Sequence, residues 1–74
     1  MDLPKKALKI IKELLIKSIQ NSEKAIKVID DELETVKSKS KIKQLKGMRE
    51  FFYDSIDTDK KDFENTIKKL EKQD

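Results

Sequence analysis

The 74-residue chain has no cysteine, no histidine and no tryptophan, one glycine and one proline. Without Cys and His there is no disulfide staple, no thiolate or imidazole metal ligand, and no imidazole for acid–base catalysis. Gly47 and Pro4 cannot build a glycine-rich phosphate loop or a nucleophile elbow. Arginine is almost missing. All but Arg49 of the 18 basic residues are lysine, which leaves little for bidentate recognition of phosphates or bases. No apolar run is long enough to span a bilayer, since Lys12 and Glu13 interrupt the first one. The start Met1-Asp2-Leu3-Pro4-Lys5-Lys6 lacks the clean positive charge of a signal peptide. These absences predict a non-enzymatic cytoplasmic protein with no cofactor and no metal.

What is present is charge and aliphatic bulk. Charged residues make up 45% of the chain and hydrophobic ones 35%, with a formal net charge of +3 from 18 basic and 15 acidic residues. Mixed charge with Lys, Glu, Leu and Ile in excess is the composition of long helices rather than of a polycationic tail. A chain this short, with nothing to staple it, ordinarily gains stability from a partner or a second copy.

The apolar residues have a helical rhythm. Leu8, Ile11, Leu15, Ile19, Ile26, Ile29, Leu33 and Val36 recur at steps of three or four, with small Ser22 on the one empty beat. All share one face of a helix without a slip in phase. Pro4 suits a helix start, with Asp2 just ahead of it as a candidate cap. Asn21-Ser22 would serve as a turn, but a break there would reset the phase, and the phase is kept. Ser38-Lys39-Ser40 is the natural loop, with Ser38 or Ser40 as the next cap. A second stripe follows: Ile42, Leu45, Met48, Phe52, Ile56, Phe63, Ile67 and Leu70. It empties across the polar segment from Asp57 to Asp62, where a further break is conceivable.

Folding the chain at the loop places residue i against roughly residue 78 − i of an antiparallel pair. Leu33 then meets Leu45, Ser22 meets Ile56, and small Ala25 and Ser22 leave room for Phe52. The basic first 20 residues face a net acidic C-terminal third. The expected fold is therefore all-α, an antiparallel helical hairpin with helices at about 4–37 and 41–72, dimerising into a four-helix bundle. The alternative is a three-helix bundle with a break near 57–59. Either way the chain is a single helical domain.

Two helices share only one seam, and the apolar face of the first is too wide for it. The uncovered edge is assigned to Ile10, Leu14, Ile16, Val28, Phe51 and Tyr53, and these are the candidate partner-binding residues. Phe51-Phe52-Tyr53 holds three of the four aromatic residues and is the candidate hot spot. A self-associating homodimer is the first expectation and a different protein partner the second. The function expected is a binding, inhibitory or bridging factor, an immunity or anti-defence factor being one such role.

Two alternatives belong to other classes. Lys39, Lys41, Lys43, Lys46 and Arg49 form the densest basic run and are the candidate phosphate-binding residues of a nucleic-acid-binding regulator. The acidic Asp30-Asp31-Glu32-Glu34 run beside them argues instead for mutual neutralisation. The Lys-flanked segment from Leu3 to Ile19 resembles a membrane-surface helix, but its apolar face already has a partner in the second helix. Asp54, Asp57, Asp59 and Asp62 do not follow an EF-hand spacing and enclose Lys60 and Lys61, so solvated surface charge is their expected role.

Overall fold

The computed structural model describes residues 3–73 and is an antiparallel hairpin of two helices. The first helix, α1, spans Lys5–Thr35 and the second, α2, spans Lys39–Lys72. Together they form a rod with extents of 54 × 16 × 14 Å.

Each helix end has a local cause. Pro4 sits in the cap position of α1 with an extended backbone, and its carbonyl accepts the Leu8 amide at 3.1 Å. Proline supplies no side-chain cap there; the candidate cap Asp2 lies outside the described residues. At the other end, the Val36 amide donates to the Glu32 carbonyl at 3.0 Å, and Val36 then turns extended. The linker is 36–38, two residues earlier than the loop expected at Ser38–Ser40. The reason is Ser38, whose hydroxyl accepts the Lys41 amide at 3.4 Å and caps α2. Ser40 is left inside the helix, so the expected bounds of about 4–37 and 41–72 shift to those seen here.

Neither weak point breaks its helix. α1 runs through Asn21 and Ser22, and α2 runs through the polar segment from Asp57 to Asp62. In that segment the Thr58 hydroxyl donates to the Asp54 carbonyl at 3.1 Å. At its end the Thr66 hydroxyl donates to the Asp62 carbonyl at 2.8 Å. Both thus stay within the helical ladder by bonding one turn back. A hairpin of two unbroken helices, not a three-helix arrangement, is what the backbone adopts.

The seam is built from the two stripes. Leu8, Ile26, Ile29, Leu45 and Ile56 are buried, and small Ser22 is buried with them. Three polar bonds report the register independently of the apolar packing. Ser18 Oγ donates to Asp59 Oδ2 at 2.7 Å, Arg49 donates to Asp30 Oδ1 at 2.9 Å, and Gln73 Nε2 donates to the Leu3 carbonyl at 2.8 Å. Each pair departs from the expected 78 − i rule by only one or two residues. One member of the expected stripe is out of place. Met48 is 51% exposed, because its position on α2 falls to one side of the line joining Leu45, Phe52 and Ile56.

Candidate interaction surface

A helical hairpin has a seam, two flanks where both helices present a side, and two outer backs. At about 100° per residue, Ser18 and Asp59 project to one side of the seam, and Asp30 and Arg49 to the other. The two polar bonds therefore mark the two flanks.

The flank carrying Ser18 and Asp59 carries fewer charges than the opposite one. From α1 it receives Ala7, Ile10, Leu14, Asn21 and Val28; from α2 it receives Gln44, Met48, Phe51 and Ser55. Its large apolar side chains are open to solvent: Leu14 is 60% exposed, Val28 64% and Phe51 67%. Glu32, Asp62 and Lys69 are the charges that project most directly onto it. Phe51 is propped by its neighbour Phe52, ring to ring, with centroids 5.6 Å apart and planes at 76°. Phe52 is half-buried in the seam, and the Phe51 ring meets it edge-on while facing solvent.

The opposite flank is a field of charges with two apolar islands. Ile16 lies over a shallow groove with Ile19, Gln20, Glu23, Lys60 and Phe63. Tyr53 lies over a second, shared with Glu23, Ile26, Asp57 and Lys60, and borders a third with Lys46, Arg49 and Glu50. The six expected partner-binding residues are thus all exposed, but they do not make one edge. Ile10, Leu14, Val28 and Phe51 share the charge-poor flank; Ile16 and Tyr53 belong to the charge-rich one. Met48 joins the first group, and the stripe pattern anticipates neither its exposure nor that of Leu3.

The basic run is brought to the hairpin tip. Lys39, Lys41, Lys43 and Lys46 are exposed there, while Arg49 is half-buried and occupied by Asp30. Asp31, Glu32 and Glu34 close α1 directly beside them. The acids oppose the negative C-terminal end of their own helix and the lysines the positive N-terminal end of theirs, yet each set complements the neighbouring helix end. The tip carries both signs at short range. Among the described residues no group of three or more acidic side chains comes together as a metal site, and no helix is long and apolar enough to cross a membrane. Asp54, Asp57, Asp59 and Asp62 project in different directions around α2, with Asp59 taken by Ser18.

Comparison of the chain with protein-family models, with curated proteins and with solved structures gives no match.

Proposed function

We propose that this protein is a non-enzymatic protein–protein interaction module that binds through its charge-poor flank. The supporting observation is the asymmetry of the rod. Exposed Leu14, Val28, Met48 and Phe51 are gathered on the side with fewer charges, and the other flank carries charge along its whole length. Water-exposed apolar area of this kind is a standing free-energy cost that docking removes, at about 25 cal/mol per Å². Interface energy concentrates on aromatic side chains, and Phe51, edge-to-face with Phe52, is the exposed aromatic group of this surface. The same chemistry serves a binder, an inhibitor or a bridge between partners.

The test is stoichiometric co-purification of tagged protein from its native cell, with a second untagged copy counted as a companion. Val28→Asp and Phe51→Asp are expected to lose the companion, while Ile16→Asp and Tyr53→Asp keep it. Absence of any stoichiometric companion, or its loss only through Ile16 and Tyr53, would overturn the reading.

A further inference from the structure

We infer that the hairpin has two registers one helical turn apart, the observed one and a second in which each residue of α2 faces a residue of α1 four higher. The contacts that fix the observed register each have a duplicate one turn along. Ser38 caps α2 through the Lys41 amide, and Ser40, two residues on, has Lys43 at the same spacing. Moving the linker from 36–38 to 38–40 lengthens α1 by two residues and shortens α2 by two, which is a step of four in the pairing. Asp59, which accepts from Ser18, then comes level with Ser22, a second hydroxyl on the same face of α1. Arg49, which donates to Asp30, comes level with Glu34, a second carboxylate.

The opposite slip has no such duplicates. It would make Val36 the cap, which has no side-chain acceptor, and would set Asp59 against Leu14 and Arg49 against Ile26. The duplication is therefore directional and does not follow from the periodicity of the stripes alone. The linker does not oppose the step, since it has no glycine, proline or positive φ, and Val36 and Lys37 can extend α1. Packing decides which register dominates. In the second one Ile56 leaves small Ser22 for Ala25 and Ile26, and Gln73 leaves the Leu3 carbonyl for the level of Ala7, inside α1. A step of one turn, about 5.4 Å, is a discrete move between two packed states. It also redraws the charge-poor flank, because Phe51 passes from the level of Val28 to that of Glu32. A partner that takes Val28 and Phe51 together would hold the observed register.

Disulfide trapping in the purified chain, with no partner present, is the measurement. The sequence has no cysteine of its own to interfere. Ser18→Cys/Asp59→Cys reports the observed register and Ser22→Cys/Asp59→Cys the second. Leu14→Cys/Asp59→Cys is the control, displaced equally in the other direction. Cysteines one turn from the facing position cannot bond without movement, because their Cβ atoms must approach to about 4.5 Å or less. In glutathione buffer the cysteines at 22 and 59 are expected to oxidise on the order of tenfold faster than those at 14 and 59, since only that direction keeps a cap and a carboxylate for Arg49. Adding Ser38→Ala is expected to raise the rate at 22 and 59 about fivefold, and adding Ser40→Ala to lower it about as much, through loss of one cap or the other. Neither should move the control, and circular dichroism of the reduced forms checks that the helices persist. Equal rates for the two pairs, or a rate at 22 and 59 indifferent to both serines, overturns the second register. Docking through the charge-poor flank would stand or fall separately, by its own co-purification test.

Discussion

At the scale of single residues, the hairpin is held by a short list of buried aliphatic groups and by what lies opposite them. Leu8 is 2% exposed, the most enclosed of them. Leu8→Ala is expected to destabilise the fold by about 2–5 kcal/mol, read as a lower denaturant midpoint at unchanged slope. Gly47 is the contrary case. It is in the interior of α2 without positive φ, and a Cβ added to it meets nothing within 4 Å. Gly47→Ala is therefore expected to stabilise by about 1 kcal/mol and to raise the melting temperature by roughly 4–8 °C. The Arg49–Asp30 pair is worth less than its 2.9 Å geometry suggests, because the two side chains keep 35% and 46% of their exposure. Asp30→Asn is expected to cost under about 1 kcal/mol, with the difference shrinking in high salt.

At the scale of the helices, most of the structure was legible from periodicity, and the failures have local causes. The stripe from Leu8 to Val36 is read correctly because twenty-odd residues without glycine or proline keep one phase, and a helix is the only element with that period. The register follows from matched bulk, with Ser22 against Ile56 and both buried. The sequence pattern puts the linker two residues late because Ser38 and Ser40 are equally good caps in sequence, and only the backbone decides between them. Steps of three and four admit Met48 to the core stripe, although its angle drifts away from Leu45 and Phe52. The division of the exposed residues into two flanks is also an angular matter. Phe51 and Tyr53, two residues apart on α2, diverge by about 200° and cannot serve one surface. The continuity of α2 through its polar segment is testable. Thr58→Pro is expected to cost about 3 kcal/mol or more and to reduce helicity, as proline does inside a helix. A loss of only a few tenths would mean that a break at 57–59 is already present.

At the scale of the whole molecule, the rod is a distribution of charge more than a compact core. Two helices bury one seam, and everything else about the surface is free to be specified by function. One flank mixes lysines and acids along its length; the other is apolar or small from Ala7 to Val28 on α1 and around Phe51 on α2. The basic tip is matched by acids at the same end, with Arg49 already engaged by Asp30. Retention of labelled RNA or DNA is accordingly expected to be weak at low salt and to vanish by physiological salt. Tight binding that falls with Lys39→Ala and Lys43→Ala would contradict this.

Under the proposed function one flank docks a protein and the other stays in water. Phe51 and Tyr53 provide the sharpest comparison, being two residues apart on the same helix, aromatic, and exposed on opposite flanks. A photo-crosslinking amino acid placed at either position leaves length, charge and fold nearly unchanged. In the native cell, position 51 is expected to give one discrete protein adduct in high yield, and position 53 little or none. Equal yields from both positions, or an adduct from position 53 alone, would contradict the account.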